Sequence, residues 1–115
     1  MGQISDLQKR IVSFRDARDW KQFHNPKDMA ISLVLEASEV VEHFQWKTEA
    51  EINTHLDHNK DQLAEELVDV LYWVLLMAND FNIDIQASFD KKMVQNEQKY
   101  AVEKSKGNHK KYTEL

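Results

Sequence analysis

An all-α fold is predicted by two features of the sequence. Two glycines and one proline punctuate 115 residues, too few for the turns that strands need between them. The β-branched residues recur at helical intervals and not in alternation. The length predicts one domain, residues 1–115, with a core of limited size. No internal repeat, low-complexity stretch or interdomain linker interrupts it.

The first helix is placed from Ser5, which has capping-box spacing with Gln8, to about Lys21. Leu7, Ile11, Phe14 and Arg18 follow along it at helical intervals. FHNPKDM then breaks the chain, since Asn25 can cap and Pro26 suits a first helical turn. The second helix is predicted over Pro26 to Trp46, apolar at Ala30, Leu33, Val34, Ala37, Val40, Val41 and Phe44. Thr48 with Glu51 repeats the capping-box spacing and predicts a short helix. A third long helix is placed from Asp61 to Phe81. Its later half, LVDVLYWVLLMA, is apolar nearly all round, whereas a helix of a small monomer shows a polar face. Burial from both sides is therefore expected, most simply in an oligomer. The fourth helix begins near Asp84, with Ile85, Phe89, Met93 and Tyr100 on one side. The end, about residues 105–115, reads as a mobile basic tail.

Composition narrows the function. Without cysteine, neither a disulfide framework nor a thiolate metal site can form. The N-terminus lacks the apolar segment of a signal peptide. The longest apolar run, Val70 to Ala78, is far below the roughly 18 residues that span a bilayer. A cytoplasmic protein with no membrane partner is expected. The net charge of −5 disfavours nucleic acid, whose binders carry a basic face. A nucleotide ligand stays open, because a divalent cation reverses the local sign.

EASEVVEHFQW sets Glu36, Glu39 and Glu42 along one side of a helix amid apolar residues. AEELVDVLYW answers with Glu66 and Asp69, again three apart. Rows of Glu on a helix usually form a solvated face. Two matching pairs on two apolar helices instead predict four converging carboxylates, which are costly to bury without a cation. Oxygen-only donors select a hard ion, Mg²⁺ or Mn²⁺, and such ions bind phosphates and activate water. Glu42 and Glu65 are weaker candidates, equally explicable as surface. Di-iron bundles need Glu-x-x-His, which is absent here. His55 and His58 have no third ligand nearby for zinc.

The ExxE and ExxD pairs are the signature of the MazG-like, all-α nucleoside triphosphate pyrophosphohydrolases. With RDW, EHFQWK, EELVDVL, KM-x-x-N and KYTEL in order, the chain from about Phe14 onward resembles the dCTP pyrophosphatase branch. The resemblance implies a four-helix-bundle-type fold assembled as a homo-oligomer, commonly a tetramer, with a dimer the alternative. It implies cleavage of a deoxynucleoside triphosphate, dCTP or a related or modified one, to monophosphate and pyrophosphate, cleaning the nucleotide pool. It assigns Glu36, Glu39, Glu66 and Asp69 as catalytic metal ligands, with Mg²⁺ the usual ion. Many MazG-like chains begin the motif with paired glutamates; Leu35 replaces the first, as in the dCTP branch. That leaves a second metal site in doubt.

Trp20 and Trp46 resemble base-pocket aromatics of that branch, and an indole face offers stacking area for a flat base. Trp73 reads as core or interface, and His24 as a loop residue. The resemblance sets Lys92 near the triphosphate and Asn96 near the base or sugar, four apart on the last helix. Lys110, Lys111 and Tyr112 could fold over the phosphates. The alternative function is a non-catalytic nucleotide-binding or interaction module on the same helices.

Overall fold

The structure, a computed structural model, describes residues 2–115. The described residues form six α-helices and two 3-10 turns, without strands. They divide into two compact units, one ending at Asn82 and the other spanning Ile83–Leu115.

In the first unit, α1 covers Gln3–Ala17, α2 Pro26–Glu42, α3 Glu49–His58 and α4 Lys60–Asp80. The expected Ser5 box does not form, because α1 starts earlier, with Gly2 as N-cap. Gln8 instead donates to the Leu75 carbonyl of α4 at 2.9 Å. The helix also stops short of Lys21: Asp19 is left-handed at φ 55°, a conformation Asp tolerates, and a 3-10 turn follows over Lys21–Phe23. Asn25 caps α2 as predicted, accepting from the Asp28 N–H at 2.9 Å. That helix ends at Glu42 and not Trp46, since the chain turns and Trp46 is left-handed at φ 68°. Glycine usually fills such a position, and a bulky residue there carries strain. The Thr48–Glu51 capping box is present on α3.

Helix α4 packs on α2, α1 and α3. The core it organises is small: among the described residues, Met29 of α2 and Leu75, Leu76 and Ala78 of α4 are the buried apolar ones. Among them Arg15 of α1 is fully buried. It is held bidentately by Asp80, Nη1 to Oδ2 at 2.5 Å and Nη2 to Oδ1 at 3.0 Å, with Nε donating to Asp16 at 3.0 Å. A forked, charge-assisted pair is what makes a buried guanidinium tolerable. The apolar girdle expected for α4 is only partly covered. Leu67 and Val68 are 54% and 60% exposed, and Val34 and Leu35 of α2 are 66% and 59% exposed.

The second unit holds α5, Ile85–Lys99, capped by Asp84 on the Ala87 N–H at 3.0 Å. A short α6, Val102–Ser105, and a 3-10 turn at Tyr112–Glu114 follow. Within the segment expected to be mobile, the Tyr112 ring meets Tyr100 edge-on at 6.0 Å, under the Lys99 ammonium. Among the described residues, no helix is long and apolar enough to cross a membrane.

Candidate active site

Packing α2 on α4 brings Glu36, Glu39 and Asp69 together, with one carboxylate oxygen from each within 4.8 Å of the others. Burial pushes the Glu36 carboxyl above the usual glutamate range. The negative charges of Glu39 and Asp69, a hydrogen bond with Glu39, and the charge of Glu66 push it further. Glu66 therefore belongs to the same electrostatic neighbourhood but not to the close trio. Its Oε2 is shut off from solvent and lies against His43 Nε2. An all-oxygen donor set with unbalanced negative charge fits a hard divalent cation.

The raised Glu36 carboxyl has a consequence for stability. The folded metal-free protein binds this proton more tightly than the unfolded chain, so the contribution is full below the ordinary glutamate pKa. It is lost as pH rises through the elevated one. Melting of the metal-free protein should therefore fall across the window just above the usual carboxylate range. Mg²⁺ should remove that fall, which thermal denaturation with and without the ion checks.

Two of the carboxylates also border a cleft of about 720 Å³ whose other walls include Phe14, Trp20, His24, Tyr72 and Trp73. Trp20 stands edge-on to Phe14 at 5.7 Å and is 42% exposed, leaving part of its ring open. His24 rests on Trp73 at 5.2 Å, its Nδ1 buried without a hydrogen-bond partner. Burial, then the charge of Arg15, hold the His24 pKa down against Asp80, so the imidazole is neutral near pH 7. Burial likewise raises Tyr72, although Arg15 and Arg18 oppose it, and the phenol stays protonated. The cleft thus combines uncharged aromatic walls with two carboxylates and the Arg10 guanidinium.

The structure places Trp20 in this cleft but not Trp46, which is 92% exposed beyond the end of α2. Lys92 and Asn96 lie four apart on α5 of the second unit, Lys92 exposed and Asn96 half-buried. Sequence reasoning missed Phe14, His24, Tyr72 and Trp73 as walls. Tyr72 and Trp73 follow Asp69 by three and four residues, hence share its side of α4, and that spacing was the available signal. His24 carries no periodic signal, because it lies in the loop after the 3-10 turn. His55, set aside as a zinc ligand in the sequence, turns to His43.

Similarity to known proteins bears on this geometry. A dCTP pyrophosphatase 1 of Rattus norvegicus is 37% identical over 114 residues, 97% of this chain and 67% of that protein. The Homo sapiens dCTP pyrophosphatase 1 is 33% identical over the same shares. A crystal structure of a pyrophosphatase from Archaeoglobus fulgidus superposes with a TM-score of 0.80 at 32% identity, covering 88% of this chain and 94% of that one. Fold, acidic cluster and relatives together define a nucleoside triphosphate pyrophosphohydrolase. Residues 31–115 match the MazG-like family, and the chain belongs to it.

Proposed function

We propose that the protein cuts dCTP, or a related or modified deoxynucleoside triphosphate, between the α- and β-phosphates, releasing monophosphate and pyrophosphate in the cytoplasm. The observation that carries this reading is one cleft walled at once by Trp20, Tyr72 and Trp73 and by Glu36 and Asp69. A flat base fits the aromatic part, and the phosphates then reach the carboxylates. Glu36, Glu39 and Asp69, with Glu66 beside them, would hold Mg²⁺, or Mn²⁺ in its place. When bound, that ion neutralises phosphate charge and lowers the pKa of water.

The chain's own residues supply the rest. The aromatic walls bind and orient the base, and neutral His24 offers a ring nitrogen without adding charge. Glu39 is the trio's remaining carboxylate, next to Glu36 and outside the cleft walls. Lys92 is assigned to the triphosphate and Asn96 to the base or sugar. Trp46, whose ring is open to solvent, is assigned to the base by its resemblance to the base-pocket aromatics. The open apolar residues Val34, Leu35, Leu67 and Val68 favour a homo-oligomer, with a tetramer the preferred form.

Chromatography of products from a panel of dNTPs and NTPs with Mg²⁺ tests this directly. The expected products are monophosphate and pyrophosphate, with dCTP or a modified analogue the best substrate. Nucleoside diphosphate with orthophosphate would overturn the bond assignment.

A further inference from the structure

Glu66 differs from its three acidic neighbours in having a relay of polar side chains built behind it. His43 leaves the C-terminal end of α2 and its side chain is only 11% exposed. Its Nε2 faces the buried Oε2 of Glu66 on α4. Its other nitrogen, Nδ1, lies 2.6 Å from Nε2 of His55 on α3. The far nitrogen of His55, Nδ1, is 3.2 Å from the Nδ2 amide of Asn59. Asn59 is the residue that ends α3 and begins α4.

The donors sort themselves in one direction only. An amide nitrogen can only donate, so His55 Nδ1 accepts and its proton is on Nε2. His55 Nε2 therefore donates to His43 Nδ1, which leaves the His43 proton on Nε2, facing Glu66. The two histidines thus meet as donor and acceptor, and the Nε2 edge of His43 is set against Glu66 Oε2, a buried oxygen with no other polar partner. A carboxylate with a ring nitrogen set against one oxygen is restricted in the directions its other oxygen can take. The His43 ring is itself fixed at its other edge by His55.

We infer that His43, braced by His55 and Asn59, is a positioning residue that fixes the Glu66 carboxylate for the cation held by Glu36, Glu39 and Asp69. This rests on the metal-site reading proposed above. Outer partners of this kind orient a ligand without touching the ion, and their loss typically weakens metal binding by about 10- to 100-fold. The chain also ties the α3–α4 junction to the site.

The test is Mn²⁺ binding without nucleotide, followed by electron paramagnetic resonance, on wild type, His43→Leu and His43→Gln. His43→Leu should weaken binding about tenfold or more and raise the Mg²⁺ concentration for half-maximal turnover more than it lowers turnover at saturating Mg²⁺. His43→Gln, whose amide can still donate, should recover most of the loss. A merely structural histidine would change the melting temperature without that recovery in affinity. Equal or tighter Mn²⁺ binding by His43→Leu overturns the inference and leaves the metal site standing. Absence of Mn²⁺ binding in wild type overturns both. Should His43→Leu not fold, His55→Leu, one step further from the carboxylate, decides: weakened Mn²⁺ binding supports the chain, and unchanged binding rejects it.

Discussion

Glu39→Gln should lower hydrolysis at least about 100-fold, since loss of a group merely supporting a metal ligand already costs about 10- to 100-fold. The substitution keeps shape and removes one negative charge from the trio of Glu36, Glu39 and Asp69. Glu36 feels Glu39 more than any other neighbouring charge. Its carboxyl should therefore fall back toward the ordinary range, and repulsion within the metal-free cluster should ease. The result expected is a variant no less stable than wild type without metal, yet inactive and weakly stabilised by Mg²⁺. Opposite signs for activity and metal-free stability identify a ligand-binding group. If Glu39 were instead a structural residue, both would fall together. Steady-state rates beside melting curves with and without Mg²⁺ distinguish the two.

Asp80→Asn should be the most destabilising of the conservative polar substitutions, by about 3–5 kcal/mol. It strips the anion from Arg15, which has no exposure to water and only Asp16 as a second carboxylate partner. An uncompensated buried guanidinium is the large term, far above the roughly 1 kcal/mol of an ordinary hydrogen bond. Replacing both partners by apolar residues of similar volume should cost much less. The pair also governs acid stability. Burial alone would raise the Asp80 carboxyl, but hydrogen bonds from Arg15 and Asn79 and the charge of Arg15 outweigh it and hold it below the usual range. That contribution is full above the unfolded aspartate pKa and is lost as pH falls through the lower folded one. Urea titrations of wild type and variant at neutral and acid pH should converge as the pH drops.

The helices were legible because each carries its own punctuation. Asn25 with Pro26, Thr48 with Glu51, and Asp84 cap where the sequence put them, through contacts spanning three residues. The ends that shifted, at Ala17 and Glu42, are followed by turns with left-handed residues, Asp19 and Trp46, and neither is a glycine that would have flagged the turn. The carboxylate pairs were legible through their spacing, and the structure joins Glu36 and Glu39 to Asp69. The direction taken by Glu66 was not, since it depends on His43 and His55 arriving from two other helices. Arg15 was invisible for a related reason: hydrophobic periodicity cannot announce a buried charge whose partner lies 65 residues away. The walls of the cleft are a tertiary property, gathered from α1, the following loop and α4.

The smallness of the core has a last consequence. Among the described residues Met29, Leu75, Leu76 and Ala78 are the buried apolar side chains, while much of the remaining apolar surface of α2 and α4 waits for a covering layer. In the proposed assembly that layer is another copy of the chain, so part of the free energy that holds each protomer's shape is intermolecular. Protein concentration then becomes a thermodynamic variable in its own right, because folding and association share one mass-action equilibrium. Dilution would act on this enzyme as a mild denaturant, loosening the helices that carry the carboxylates along with the contacts between subunits.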